Sequence, residues 1–115
     1  MPIMNGTDRE KLTKEHIIHL LRDRLPDLRA RYGVRRIALY GSFARGEGSP
    51  NSDVDLLVEL SQPLGLRFIA LANEVESLLG RDVDIATFET FYRTKSDARK
   101  QHIATAIERD LTYVE

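Results

Sequence analysis

Two aspartates and a glycine–serine pair are the residues of this sequence whose types and spacing could do chemistry. Asp53 and Asp55 stand two apart and lead an apolar alternation through Val54, Leu56, Val58 and Leu60. In a strand, residues two apart face the same side, so the apolar set shares one face and Asp53 and Asp55 share the other. Two carboxylates this close repel each other unless something neutralises them. A hard divalent cation does so, and Mg²⁺ is the usual partner where phosphates supply further ligands. Ten residues upstream lies Gly41-Ser42. Gly41 lets backbone approach a ligand closely. Ser42 is a good N-cap for a helical turn over Phe43-Ala44-Arg45, whose free N–H groups would hold an anion, and it adds a hydroxyl. Arg45 would add a cation beside phosphates. An isolated Asp-x-Asp is most simply a solvated strand face, and a lone Gly-Ser a plain corner. At this spacing, with the apolar alternation behind the aspartates, the pair reads as a metal-dependent nucleotide site.

A two-metal site for phosphoryl or nucleotidyl transfer usually needs a further carboxylate. Arg81-Asp82-Val83-Asp84-Ile85-Ala86 offers one: Val83 and Ile85 alternate toward a core, so Asp82 and Asp84 point the other way. Parity does not choose between them. Asp84 lies deeper in the strand, where an unpaired carboxylate is costlier, and is preferred as the metal ligand. Glu59 shares the face of Asp55 but sits farther along, and reads as a solvated edge charge.

The elements that must position these groups follow from pattern. Val34 to Tyr40 is apolar, partly β-branched and stopped by Gly41, so it reads as a strand. Before it, Ile17, Leu21, Leu25 and Leu28 recur at helical spacing; Thr13 is a candidate cap, Pro26 should kink the helix or start a second one, and Gly33 ends it. After a loop at Ser61-Gln62-Pro63, Phe68, Leu71, Ala72, Val75, Leu78 and Leu79 fall on one helix face that Gly80 stops. Asp82 to Thr87 is the third strand. Phe88 to Thr94 is short and aromatic, and Ser96 is the expected cap of a last helix carrying Ile103, Ile107 and Leu111. The order predicts an α/β (α+β) fold, a small mixed sheet covered by helices.

The chain of 115 residues suits one compact domain, 1–115, with the polar residues 1–8 expected to fray. A net charge of −1 gives no whole-molecule argument for binding nucleic acid. Arg22, Arg24, Arg29, Arg31, Arg35 and Arg36 outnumber Asp23 and Asp27 in their stretch, which reads as a solvated helix face. There is no cysteine, hence no disulfide frame. No stretch approaches the ~20 apolar residues of a membrane span and no signal-peptide run opens the chain, so a cytoplasmic location is expected. His16, His19 and His102 read as surface or packing residues, Tyr40 as a strand residue of the core, and Tyr92 and Tyr113 as aromatics for partner contact.

Gly41, Ser42, Ala44, Arg45, Gly46, Ser52, Asp53, Asp55, Leu56 and Val58 together resemble the signature of the polymerase-β nucleotidyltransferase superfamily, and within it the minimal nucleotidyltransferase domains of bacteria and archaea. Val83-Asp84-Ile85 resembles the strand that brings that family's third carboxylate. The resemblance implies the polymerase-β-like nucleotidyltransferase fold, with ATP as substrate and Mg²⁺ as cofactor, two ions in all. Asp53, Asp55 and Asp84 would hold metal, and Gly41, Ser42 and Arg45 the nucleotide phosphates. Many such proteins are antitoxins that pair with a helical HEPN-domain RNase toxin, some inactivating it by moving AMP from ATP to a tyrosine. The expected function here is that transfer, within a hetero-oligomer. The alternatives are neutralisation by occlusion alone, and nucleotidyl transfer to a small molecule or RNA end.

Overall fold

The computed structural model describes residues 12–97, 99 and 101–114, apart from the side chains of 94, 95, 101, 103 and 104. The expected fraying of residues 1–8 and the apolar role of the Ile103 side chain lie outside the described residues.

Helix α1, Lys14–Tyr32, begins at Thr13, whose hydroxyl accepts from the His16 N–H at 3.1 Å, and ends at Gly33 in the left-handed region. It buries Ile17, Leu21, Leu25, Leu28 and Tyr32 as one stripe and passes through Pro26 without ending. Burial of the stripe on both sides of Pro26 outweighs the one missing N–H, so no second helix starts there. Strand β1, Val34–Tyr40, runs into the four-residue helix α2, Gly41–Ala44. Strand β2, Val54–Leu60, follows a loop, and helix α3, Arg67–Leu79, carries the chain across to β3, Val83–Thr87. Helices α4, Phe88–Ser96, and α5, Gln101–Asp110, then return it to a short strand β4, Thr112–Val114.

The sheet is mixed, in the order β3-β2-β1-β4. β1 pairs antiparallel with both β2 and β4, while β2 and β3 run parallel. Parallel neighbours need a crossover, which α3 supplies. One sheet face packs Ile37, Leu39, Leu56 and Val58 against Ile17, Leu21 and Leu28 of α1 and Leu71, Val75 and Leu79 of α3. The other face has a smaller core of its own, in which Ala38 and Leu57 meet Phe88 and Phe91 of α4, with Ile107 and Leu111 packed alongside. Phe88 and Phe91 meet edge to face at 6.5 Å between centroids. Leu56 is fully buried in a central strand. Leu56→Ala should therefore cost about 2–5 kcal/mol, read as a lower denaturant midpoint with the slope unchanged.

The helices, three strands and the mixed sheet agree with the sequence reading; the second half departs from it in detail. Two helices and a fourth strand follow β3, where one helix was expected. Ser96 does not cap that helix: it is the last residue of α4, and its hydroxyl donates to the Tyr92 carbonyl at 3.0 Å. Glu59 is not an edge charge either. β2 is an interior strand, and Glu59 pairs across it with Arg36 at 2.8 Å. The arginine-rich stretch is largely tied down in the same way. Arg31 engages Asp27 and Glu74, Arg24 reaches Glu74, and Arg29 donates to the Arg35 carbonyl. Among the described residues no helix is long and apolar enough to cross a membrane.

Candidate active site

The site lies on the second sheet face, at the end that α4 and α5 leave open. Along that face β2 presents Asp55, Leu57 and Glu59 in turn, with Asp53 just before the strand. Leu57 goes into the small core and Glu59 into the pair with Arg36, so Asp53 and Asp55 remain at the open end. Strand register then brings in two neighbours. Asp84 of β3 lies beside Asp55 in the parallel pair, and Tyr40 of β1 lies opposite Asp55 in the antiparallel pair. Adjacent strands sit about 4.8 Å apart. Register thus sets Asp84, and not Asp82, beside Asp55. Asp82 instead lines a surface hollow with Pro50, Asn73 and Glu76, and its carbonyl accepts the Val54 N–H at 3.0 Å.

Electrostatics mark Asp55 as the strained member. Partial burial first, then the carboxylates of Asp84 and Asp53, push its carboxyl up to about 6, against a small opposing pull from Arg45. Burial, followed by Asp55 and Asp84, pushes the Tyr40 phenol up to about 12, so it stays protonated at neutral pH. Among the described residues only Arg45 opposes this rise, and it leaves the Asp55 carboxyl at about 6. That imbalance fits a divalent cation. Among the described residues no three His, Cys, Asp or Glu side chains form a ready-made metal cage. A cation held by these aspartates would take its other ligands from phosphate or water, as Mg²⁺ commonly does.

Gly41 shows why the phosphate turn and the aspartates need each other. It adopts φ +78°, and a Cβ built on it would stand 2.2 Å from Asp55 Oδ2. The sequence suggested a glycine for close approach to a ligand; the nearest thing it approaches is the Asp55 carboxylate. Helix α2 starts two residues earlier than expected, at Gly41 rather than Phe43. Tyr40, in extended conformation, occupies the N-cap position with no side-chain capping bond. Ser42 is therefore inside the helix and does not cap it, and its hydroxyl is not spent on its own backbone as a cap. The N–H groups of a first helical turn have no partner within the helix, and Gly41, the first residue of this one, stands against Asp55.

Arg45 stands at the end of α2, with its guanidinium paired to Glu47 at 3.0 Å and to Asp110 of α5 at 2.8 Å. It is close enough for Asp55 to feel its charge. Nothing local in the sequence points to Asp110, which is distant in the chain and follows an ordinary helical pattern. A separate hollow of about 830 Å³ lies at the far end of the sheet, among Leu60, Leu64, Phe68, Phe88 and Tyr92. It contains none of the site carboxylates.

The sequence profile of the nucleotidyltransferase domain family matches residues 21–111. The protein adenylyltransferase MntA of Thermococcus cleftensis is 38% identical over 104 residues, spanning 90% of this chain and 97% of that protein. Among solved structures, a proposed minimal nucleotidyltransferase superposes with a TM-score of 0.62 at 29% identity, covering 89% of this chain and 96% of the other. A toxin–antitoxin structure with AMP-PNP superposes with a TM-score of 0.56 at 26% identity, covering 90% of this chain and 73% of the other. The strand–turn–strand arrangement that sets Gly41 over Asp55 and Asp55 beside Asp84 thus sits in a sequence and a fold of one kind, and the chain belongs to the nucleotidyltransferase domain family.

Proposed function

We propose that this protein is an antitoxin that moves AMP from ATP to a hydroxyl, that of a tyrosine, on a partner HEPN RNase toxin. The observation that carries the reading is the Asp55 carboxyl, pushed up by burial and by Asp84 and Asp53 and set against Gly41 of the Gly41-Ser42 turn. The likeness to an adenylyltransferase and to a toxin–antitoxin structure with an ATP analogue supports the choice of nucleotide and partner.

In this reading the backbone N–H groups of the turn and the Ser42 hydroxyl hold the β- and γ-phosphates. Arg45 adds positive charge at their edge. Asp53 and Asp55 would hold one Mg²⁺ and Asp84 would contribute to a second; bound there, the cation would neutralise phosphate charge and lower the pKa of an acceptor hydroxyl. The acceptor oxygen attacks the α-phosphorus, a P–O bond forms, and the bond to the bridging oxygen breaks. Pyrophosphate leaves with the electron pair, and the acceptor's proton passes to solvent by way of the Asp84 carboxylate. Tyr40, held as a neutral phenol, adds no charge to the cluster. The likeness to a toxin–antitoxin structure supports an acceptor on another protein.

The test is mass spectrometry of the neighbouring-gene product after incubation with this protein, ATP and Mg²⁺, beside an Asp53→Asn control. The expected result is a mass increase matching AMP, absent in the control and located on a tyrosine. A stable complex with no mass change would replace catalysis by occlusion. Labelling of an RNA end or a small molecule without the partner would change the acceptor class.

A further inference from the structure

The loop between α2 and β2 joins the two halves of the site, and residues 45–51 are all exposed. Its own bonds gather around two serines: the Ser52 N–H donates to the Ser49 carbonyl at 3.0 Å, the Ser49 N–H to the Ser52 hydroxyl at 3.0 Å and the Asn51 N–H to the Ser49 hydroxyl at 3.3 Å, and the two serine hydroxyls meet at 3.1 Å. What fastens it to the sheet is Arg81. Nη1 of Arg81 donates to the Ser49 carbonyl at 2.8 Å and reaches the Ser52 carbonyl at 3.4 Å. The same guanidinium lies over the Phe43 ring, 5.4 Å from its centroid. Phe43 is buried, and the loop closes on it from another side: a Cβ on Gly48 would fall 2.2 Å from a ring carbon.

These contacts reach the chain neighbours of Ser42 and Asp53 and start three residues before Asp84. Phe43 follows Ser42, Ser52 precedes Asp53, and Arg81 itself leads into the strand that carries Asp84. We infer that Arg81 is a positioning residue for nucleotidyl transfer, setting the phosphate turn, the Asp53 end of β2 and the Asp84 strand in mutual register. This rests on the adenylyl-transfer reading above. The side chain suits the task. A guanidinium is a flat plate that stacks on a ring with its face and donates from its rim, and it keeps its charge at every relevant pH. A lysine can donate to the carbonyls but cannot lie flat on Phe43.

The test compares Arg81→Met and Arg81→Lys with the parent, and with Leu20→Ala, a partly buried α1 position, chosen as the control for thermal loss. Four quantities are read: melting temperature, the upward shift of that temperature by MgATP, transfer at saturating ATP across a Mg²⁺ series, and amide hydrogen exchange. For Arg81→Met the expected result is a fall in transfer of about ten- to a hundredfold. The Mg²⁺ half-saturation should rise, the MgATP shift should shrink, and hydrogen exchange should quicken over residues 45–53 with α1 unchanged. Arg81→Lys should recover part of the loss, and Leu20→Ala should lose thermal stability without losing transfer. Parent-like transfer, Mg²⁺ dependence and MgATP shift in Arg81→Met would overturn the inference and leave the adenylyl-transfer reading standing. A parent that binds MgATP but labels no partner, with binding weakened in Arg81→Met, would remove that reading and keep the positioning role. A parent that does neither overturns both.

Discussion

Asp55→Asn should yield a metal-free protein that is more stable than its parent at pH 7.5 and dead as a transferase. The carboxyl is pushed up to about 6 in the fold by burial and by Asp84 and Asp53, so holding it ionised costs folding free energy. A shift of this kind amounts to about 3 kcal/mol at most, since each pKa unit is ~1.4 kcal/mol, and solvent screening at a half-open site reduces it to about 1–2 kcal/mol. For a domain of this size that raises the melting temperature by about 3–10 °C. The sign with pH is fixed. A carboxyl whose folded pKa is raised contributes stability that is fully present below its unfolded pKa, near 4, and lost as pH rises through the folded value of about 6. Asparagine is neutral throughout, so the variant's advantage should vanish near pH 4, grow through pH 6 and level off above it. Mg²⁺ with ATP should stabilise the parent and not the variant. Transfer should fall by about a thousandfold or more, because both the cation site and its alignment are lost. A variant no more stable than the parent at pH 7.5 would mean that Asp55 is not under charge stress in the free protein. Retained transfer would remove Asp55 from the mechanism.

Gly41→Ala should be nearly as damaging to transfer, for a steric reason that can be isolated. Alanine at φ +78° pays about 1–2 kcal/mol of backbone strain. Its Cβ would also stand 2.2 Å from Oδ2 and 3.3 Å from Cβ of Asp55, so the carboxylate must swing away or the turn must lift. Either movement misplaces phosphate against metal ligand, and displacements near 1 Å can cost about a hundredfold. Gly46 separates the two effects. It has φ +77°, yet a Cβ there meets nothing within 4 Å. Gly46→Ala should show the thermal penalty with most of the transfer retained, whereas Gly41→Ala should show both losses. Equal activity in the two variants would deny the contact with Asp55 any role.

The sequence was most readable where periodicity and composition act over short distances. The α1 stripe, the strand boundaries at Val34 and Tyr40, and the α3 stripe ending at Gly80 each depend on residues within a few turns of one another. The aspartate face of β2 was readable for the same reason. What it hid was set by partners far apart in the chain. Leu57 broke the alternation of β2 and was the one local sign that this face also carries a core, formed with Phe88 and Phe91 some thirty residues on. The ion pairs of Glu59 with Arg36 and of Arg45 with Asp110 have no local signature. Neither does the contact of Arg81 with Ser49 and Ser52, because one arginine in a charged chain looks like any other. Asp82 and Asp84 were indistinguishable by parity, and only the register of β3 on β2 separates them. Ser42 and Ser96 were misplaced as caps because a serine before an apolar run is compatible with several helix starts.

The parallel pairing of β2 with β3 also bears on how the protein is made. β1, the turn and Asp53-Asp55 are close in sequence and joined by antiparallel pairing, whereas Asp84 arrives only after the α3 crossover has docked on the first core. Contacts that close so long a loop form late in folding. A chain halted before that step would hold the turn and two aspartates but lack the third carboxylate and the Arg81 tether. Under the proposed mechanism it would spend no ATP and modify no partner, so a nascent or damaged molecule is kept silent by topology alone.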